Sequence, residues 1–223
     1  MGTLLIVATP IGNLKDVSFR AIEVLKFVDY ILCEDTRVTG KLLNHFEIQK
    51  KMVTFNDFNE ESKKKSVLED LGKGVNIALV SDAGTPLVSD PGFKLVREAI
   101  QEGIRVESIP GPSSVIAALT VSGLPTDKFT FVGYLPKKEG KKIEILRNLK
   151  VSRGLVKSTL IIFESPYRVV NTLESIKGVF GDIDVVVCRE LTKMHEEVLR
   201  GKISNSIELI QSKPIKGEFV ILY

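Results

Sequence analysis

Small and charged residues follow an apolar run near the middle of the chain. Residues 77–80 are all apolar, which is typical of a strand buried on both faces of a parallel sheet. The five residues after it are small or polar: Ser81, Asp82, Ala83, Gly84 and Thr85. Turn chemistry alone often gives a tight βα loop this composition. However, small residues also let a ligand approach the backbone, and the Asp82 carboxylate could meet a positively charged group.

Four other apolar, strand-like runs end in the same way. The segments that follow them are 9–13, 34–37, 164–168 and 189–193. One such loop means little, but the carboxyl ends of parallel strands meet at one edge of a sheet, where ligands bind. Five of them therefore favour a binding cleft over ordinary connections. A further loop, 110–114, ends in Ser113 and Ser114, and we expect one of these serines to cap the small-residue helix that follows.

Several common kinds of site lack their sequence motif. The chain has no G-x-G-x-x-G after its first strand, no phosphate-binding P-loop and no G-x-S-x-G nucleophile motif. His45 and His195 each stand alone, which favours surface or structural roles. Cys33 and Cys188 lie in apolar runs, which predicts buried thiols. Ligand spacing for a metal is missing, so no metal is expected.

The order of the elements predicts an α/β fold. Strands and helices alternate up to residue 112, which predicts a parallel doubly wound sheet in an N-terminal lobe, 1–112. The pattern then changes, and we expect a C-terminal α/β lobe, 113–223, with a mixed sheet. After the central strand, Asp90 and Pro91 predict a helix start. The spacing of Phe93, Val96 and Ile100 predicts the buried stripe of that helix.

The size and the charge of the chain limit its possible functions. The chain has 223 residues, 43% of them hydrophobic, and a net charge of +3. No apolar run approaches the roughly 20 residues of a membrane helix, and the N-terminus has no signal-peptide pattern, so a cytoplasmic protein is expected. Basic residues are concentrated between Lys137 and Lys157. Such a run is usually a solvated helix face, and it becomes a phosphate-binding candidate only if it lines the site.

Six of these loops together resemble one known family. They are Thr9-Pro10-Ile11-Gly12-Asn13-Leu14, Glu34-Asp35-Thr36-Arg37, Ser81-Asp82-Ala83-Gly84-Thr85-Pro86, Pro110-Gly111-Pro112-Ser113, Phe163-Glu164-Ser165-Pro166 and Arg189-Glu190-Leu191-Thr192-Lys193. The chain is similar, from Thr3 to Tyr223, to the bacterial 16S ribosomal RNA cytidine 2′-O-methyltransferases of the tetrapyrrole methylase superfamily. Where the corrin methylases of that superfamily carry a Gly-rich first loop, this chain has Thr9-Pro10-Ile11, so residue roles at that loop transfer less safely.

The resemblance implies a fold, a cofactor and a substrate. It implies two α/β lobes with S-adenosylmethionine bound in a cleft between them, a homodimer, and methyl transfer to a cytidine ribose in the decoding region of 16S ribosomal RNA or the small ribosomal subunit. The implied cofactor contacts are Pro10, Asp82, Ala83, Gly84, Thr85, Ser113, Ser114 and Leu191. The reaction needs the 2′-hydroxyl to lose its proton, so a base or a polarising charge is expected.

The catalytic and RNA-binding residues stay open between candidates. The catalytic candidates, which the sequence does not rank, are Asp35, Glu164, Glu190 and Lys193. Those for phosphate contact are Arg37, Arg168 and Lys193, although each could equally form an ion pair. Two other functions also remain open. One is a methylase of the same superfamily acting on a tetrapyrrole or a protein side chain, and the other is a non-catalytic RNA-binding module.

Overall fold

The computed structural model describes every residue from Met1 to Tyr223. The chain divides into two compact units, Met1–Ser113 and Ser114–Tyr223, which we call unit 1 and unit 2. Each unit contains one five-stranded sheet with helices packed on it, so the predicted α/β class with two lobes is confirmed. None of the helices has the length and apolar character needed to cross a membrane.

Unit 1 is the doubly wound lobe. Its strands are β1 (Thr3–Val7), β2 (Tyr30–Cys33), β3 (Lys51–Thr54), β4 (Ile77–Val80) and β5 (Arg105–Ile109). Its helices are α1 (Phe19–Phe27), α2 (Thr36–His45), α3 (Glu60–Gly72) and α4 (Phe93–Gln101). The strand order is β3-β2-β4-β1-β5, and all neighbours are parallel, as the alternating sequence predicted.

The buried strand β4 shows how the sheet of unit 1 is covered on both faces. Ala78 and Val80 pack in the core that contains residues of α1 and α2. Ile77 and Leu79 point the other way and pack in the core that contains residues of α3 and α4. Because side chains alternate along a strand, a run of four apolar residues is what a strand between two helix layers requires.

Helix α4 begins later and faces differently from the prediction. Its N-cap is Gly92, with φ of +115°, and not Asp90. Phe93 and Ile100 are 64% and 61% exposed, while Leu95 and Ala99 are fully buried. The predicted stripe was therefore wrong at Phe93 and Ile100. Val96 does pack against the core, beside the buried contact that Leu95 and Ala99 form. The left-handed turn at Gly92 sets the start of the helix and so decides which residues face the sheet.

Unit 2 has the mixed sheet. Its strands are β6 (Phe129–Tyr134), β7 (Thr159–Glu164), β8 (Asp184–Arg189), β9 (Glu197–Lys202) and β10 (Phe219–Leu222). Its helices are α5 (Ser114–Ser122), α6 (Glu139–Leu155), α7 (Val169–Phe180) and α8 (Ile203–Gln211). The order is β6-β7-β10-β8-β9; β6 and β7 are parallel and the other pairs are antiparallel. Since β7 and β8 both run opposite to β10, their carboxyl ends lie at the same edge.

Candidate functional site

The centre of the unit 1 sheet has the geometry of a ligand crevice. Strands β1 and β4 are neighbours, but α1, which follows β1, packs on one face and α4, which follows β4, packs on the other. The two connections therefore separate above the carboxyl ends of these strands. In open α/β sheets this point of divergence is where ligands bind.

The loops after β1 and β4 are joined by their main chains. Thr9 N donates to Gly84 O at 2.8 Å, and Gly84 N donates to Thr9 O at 3.0 Å. Gly84 has φ of +83°, and a Cβ atom there would lie 3.2 Å from Cγ2 of Ile11. Glycine is needed here because the backbone is left-handed and the neighbouring loop is close. The bridge places Pro10 beside the segment 82–85.

The loop after β5 completes this edge of unit 1. Thr85 Oγ1 donates to Pro112 O at 3.0 Å, and Ala8 N donates to Ile109 O at 3.1 Å. A Cβ atom on Gly111 would lie 3.0 Å from Cβ of Ala8, so the chain turns tightly against the end of β1. Three predicted loops thus meet at one edge, with the predicted cofactor contacts of unit 1 on them.

Asp82 lies beside the charged segment that follows β2. Asp82 Oδ1 accepts from the backbone N of Asp35 at 3.1 Å. Burial raises the pKa of Asp82, and the Asp35 carboxylate adds to the rise, while the hydrogen bond from Asp35 N opposes it. Asp35 itself is paired: its carboxylate caps α2 through Arg37 N at 2.8 Å and binds the Arg37 guanidinium. These contacts with Arg37 lower the pKa of Asp35 to about 2.

Two further acids, Glu34 and Asp90, belong to the same edge and were not among the predicted site residues. Burial raises the pKa of Glu34, and the nearby carboxylates of Asp82, Asp90 and Asp57 raise it further. Burial likewise raises the pKa of Asp90 to about 6, although a hydrogen bond with Ser81 opposes the rise. The sequence predicts only a helix cap at Asp90, because the acids that affect it, Asp57 and Asp82, come from other parts of the chain. The result is a cluster of acids that favours a cation nearby.

The two predicted serines lie at the boundary of the units. Ser113 is the last residue of unit 1, and Ser114 is the first residue of α5 in unit 2. The helix α5 starts at Ser114, and that one of the two serine side chains caps it stays a prediction. Both hydroxyls are half-buried.

At the edge of unit 2, Glu164 and Arg168 are engaged within the fold. Glu164 ends β7 and is 1% exposed. Its carboxylate accepts from Ser165 N at 2.7 Å and from Thr172 Oγ1 at 2.7 Å, and it lies 3.3 Å from Arg168 Nη2. Arg168 also donates to Leu135 O at 2.6 Å. These contacts tie the ends of β6 and β7 to the start of α7.

The segment after β8 contains Glu190, Leu191 and Lys193. Lys193 Nζ lies 2.8 Å from Glu190 Oε1 and 2.9 Å from Glu218 Oε2. Burial alone would raise the pKa of Glu190, but the hydrogen bonds from Lys193 and from Glu218 N lower it overall. Burial opposes the charge on Lys193 too, yet the two carboxylates raise its pKa overall. Both groups are therefore charged.

The predicted residues thus form two groups. One lies at the edge of unit 1, at the ends of β1, β2, β4 and β5. The other lies at the edge of unit 2, where Glu164 and Arg189, the last residues of β7 and β8, both pair with Phe219 of β10. That all of these residues share one cofactor site stays a prediction. No group of three or more His, Cys, Asp or Glu residues could hold a metal ion.

The basic run corresponds to helix α6. Lys142 is buried and binds Asn171 and Glu139, so it serves the fold. Farther along the helix, a surface groove of about 560 Å³ is lined by Ile143, Arg147, Lys150, Val151, Gly178 and Val179. Lys150 Nζ donates to Val179 O at 2.6 Å, and the Arg147 guanidinium is exposed with no acidic partner. This groove is cationic and has no acidic lining.

Comparison with known proteins agrees with this architecture. The sequence model of the family described as Tetrapyrrole (Corrin/Porphyrin) Methylases matches residues 3–206. In the structure of a cobalt precorrin-4 methyltransferase, the match covers 99% of this chain and 93% of that one, with a TM-score of 0.70. The two sequences are only 18% identical, so this likeness concerns the fold.

Two relatives are much more similar in sequence. A protein of Halalkalibacterium halodurans named Ribosomal RNA small subunit methyltransferase I is 48% identical over 99% of this chain and 75% of its own length. A protein of the same name from Thermotoga maritima is 44% identical over 100% of this chain and 98% of its own. The resemblance inferred from the six loops is confirmed. The chain belongs to the tetrapyrrole methylase family, in the branch formed by these relatives.

Proposed function

We propose that this chain is an S-adenosylmethionine-dependent methyltransferase that acts on the ribose 2′-hydroxyl of a cytidine in the decoding region of 16S ribosomal RNA. The observation that carries the proposal is the near-complete match to relatives named Ribosomal RNA small subunit methyltransferase I, at 44–48% identity. The crevice between the loops of β1 and β4 supports the same function, because it combines an open backbone with acidic side chains.

The residues at the unit 1 edge fit this cofactor. The cofactor carries a positive sulfur and a positive amino group, which the acids around Asp82 would favour. Gly84 keeps the crevice open, since a side chain there would press on Ile11. We propose that Asp82 meets a positive group, that the main chain of 83–85 and Pro10 line the crevice, and that Ser113, Ser114 and Leu191 add further contacts.

The chain's catalytic contribution is mainly orientation. When bound, the cofactor supplies a methyl group on a positively charged sulfur. The protein must hold the ribose oxygen in line with that group, and orientation of this kind accounts for about 7–11 kcal/mol in favourable intramolecular models. Among the four catalytic candidates, Asp35 is the one that lies beside Asp82. Its low pKa means that it would polarise the hydroxyl as a fixed negative charge, and the proton would leave to water.

Contact with RNA would come from exposed cations. The side chain of Arg37 is 87% exposed, whereas Arg168 and Lys193 use their donors within unit 2. We therefore assign the nearest phosphate contact to Arg37. The groove on α6, with Arg147 and Lys150, would add a second, outer contact to the phosphate backbone.

Assembly and location follow from the same proposal. We propose a homodimer that acts in the cytoplasm, where ribosomal subunits are made. An exposed aromatic surface on the edge strand β6 supports association: Phe129 and Tyr134 are exposed, and Tyr134 makes an edge-to-face contact with Phe163. Light scattering of the purified chain would give the mass of a dimer.

The function is tested by methyl incorporation. Small ribosomal subunits that lack the methyl group are incubated with the protein and tritiated S-adenosylmethionine, and the labelled nucleotide is located by nuclease mapping and mass spectrometry. We expect one 2′-O-methylcytidine in 16S RNA and none with the Asp82→Ala variant. Naked 16S RNA, assayed in parallel, shows whether the assembled subunit is required. Label in a tetrapyrrole or a protein side chain, or no label at all, would contradict the proposal.

A further inference from the structure

The turn after β8 holds two residues in an unfavourable backbone conformation. Glu190 has φ of +49° and Thr192 has φ of +65°, and Leu191 lies between them. Side chains with a Cβ atom rarely adopt this left-handed region, and β-branched residues such as threonine do so least. Conformations of this kind persist only where the surrounding structure fixes them, and they are concentrated at functional sites.

One carboxylate oxygen fixes the turn to the strand beside it. Glu190 Oε1 accepts from Lys193 Nζ at 2.8 Å and from Glu218 N at 2.9 Å. In the main chain, Glu190 N donates to Glu218 O at 3.0 Å and Lys193 N donates to Glu190 O at 3.0 Å. The two ends of the turn, Glu190 and Lys193, are thus bonded to each other. Glu190 is also bonded to Glu218, the residue that precedes β10.

Gly217 provides the space for that carboxylate. Its φ is +90°, and a Cβ atom on it would lie 2.5 Å from Cγ, 2.6 Å from Cδ and 2.7 Å from Oε1 of Glu190. These distances are far inside van der Waals contact. Because Oε1 is the atom that binds both Lys193 and Glu218 N, any side chain at position 217 would push Glu190 off both partners.

We propose that Gly217, Glu190 and Lys193 position the turn so that the main chain of Leu191 meets the methyl-donor cofactor. The proposal rests on the proposed function, in which Leu191 is a cofactor contact. Leu191 is 8% exposed, and neither its N–H nor its C=O forms a hydrogen bond within the chain. A fixed donor and a fixed acceptor on one residue suit the edge of a nucleobase such as adenine. Gly217 is then a positioning residue that does not touch the cofactor.

The test compares two glycines that have nearly the same φ. In Gly217→Ala we expect the Kd for S-adenosylmethionine, measured by calorimetry, to rise about tenfold or more, because small misplacements of a binding group are costly. The kcat at saturating cofactor should stay within about twofold, because the reacting atoms are not touched. Gly181→Ala is the matched control: φ is +88° there, no atom lies within 4 Å of the added Cβ, and the residue is at the opposite end of β8.

A double substitution separates the clash between the Cβ atom at position 217 and the Glu190 side chain from other effects of Gly217→Ala. Glu190→Ala removes the colliding atoms and also releases the turn, so it should raise the Kd on its own. In its presence Gly217→Ala should add less than about twofold, since the two changes act through one contact. Full additivity would overturn the inference. If Gly217→Ala does not fold, Glu190→Ala alone decides, and an unchanged Kd in that variant would overturn it.

The same titrations distinguish this inference from the proposed function. A wild-type chain that binds no S-adenosylmethionine overturns the proposed function and the inference together. A wild-type chain that binds it, with Gly217→Ala binding equally well, overturns the inference alone. A tenfold loss in Gly217→Ala, with Gly181→Ala unchanged, supports both.

Discussion

The strand ends of unit 1 and unit 2 carry similar charged residues but use them differently. In unit 1 burial raises the pKa of Glu34, Asp82 and Asp90, and the Asp82 carboxylate raises that of the other two further. In unit 2 the carboxylates face cations: Glu164 contacts Arg168, and Glu190 contacts Lys193. The first arrangement favours an incoming cation, whereas the second is already neutralised within the fold.

This difference shows why charge at a strand end does not by itself define a site. A charged residue that is paired inside its own unit stabilises the loop that carries it. A charged residue that has only like charges nearby is not neutralised by the protein, so it can attract a ligand of opposite charge. Four experiments test whether the charged side chains at the strand ends of unit 1 face a ligand while those of unit 2 stabilise their own loops, starting with the largest expected effect.

Gly84→Leu should abolish binding to the unit 1 crevice. The side chain would be added at φ of +83° and directed at Ile11, filling the space between the loops of β1 and β4. We expect the affinity for S-adenosylmethionine to fall by at least about 100-fold in calorimetry, because the ligand and the new side chain would occupy the same volume. Gly103→Leu is the control, since φ is +73° and nothing lies within 4 Å there. Equal affinities in wild type and Gly84→Leu would show that S-adenosylmethionine does not bind in this crevice.

Glu164→Ala should affect stability strongly. The substitution leaves Arg168 without its carboxylate and Thr172 Oγ1 without its acceptor, next to the core of unit 2. Breaking a buried pair by removing one partner costs about 3–5 kcal/mol of unfolding free energy. Urea unfolding of the full chain would measure it, with Glu61→Ala, an exposed ion-pair member, as the comparison. A loss below about 1 kcal/mol would show that the contacts of Glu164 do not stabilise unit 2.

Asp90→Asn should make the stability less dependent on pH. The pKa of Asp90 is raised from 3.8 to about 6 in the folded chain, so its contribution is present below pH 3.8 and lost as the pH rises through 6. At pH 7 the variant should therefore be more stable than wild type, by about 1–2 kcal/mol once solvent screening is discounted. The gain should shrink towards pH 4. Urea unfolding at both pH values measures it, and a gain independent of pH would show that the pKa of Asp90 is not raised in the folded chain.

Arg37→Glu should weaken RNA binding and spare the cofactor. The residue is exposed and lies next to Asp35, so reversal of its charge should raise the Kd for 16S RNA about three- to tenfold and reduce the salt dependence. Filter binding over a salt series would show both. Arg105→Glu is the matched control, because Arg105 is equally placed beside an acid, Glu107, but begins β5 at the opposite edge of the sheet. Parallel loss of cofactor affinity would indicate a structural ion pair.

The fold was predictable because its signals are local. The apolar run 77–80 and the alternation of elements predicted a parallel sheet, and the structure has one. The six loops predicted the family, since each is a short contiguous segment. The sequence predicted that the loops carrying Thr9 and Gly84 lie close together. It did not predict that these two residues pair, because hydrogen-bond register depends on the strand order.

The details of the site depend on distant contacts and were less predictable. Glu34 and Asp90 are 56 positions apart in sequence, and nothing local indicates that burial and neighbouring carboxylates raise both pKa values. The same limit applies to Phe93 and Ile100, whose exposure follows from the turn at Gly92. Gly217 illustrates it best, because its neighbour Glu190 belongs to another strand end.

The position of β10 has a consequence for synthesis of the chain. Unit 1 has all five of its strands once residue 109 has been made, so it can fold while translation continues. Unit 2 cannot, because β10 is its last strand in sequence yet lies between β7 and β8 in the sheet. Until those residues leave the ribosomal exit tunnel, β7 and β8 have unpaired edges. The nascent chain therefore carries one complete sheet and one sheet whose central strand is still missing, and the unpaired strand edges of the second are open to wrong pairing.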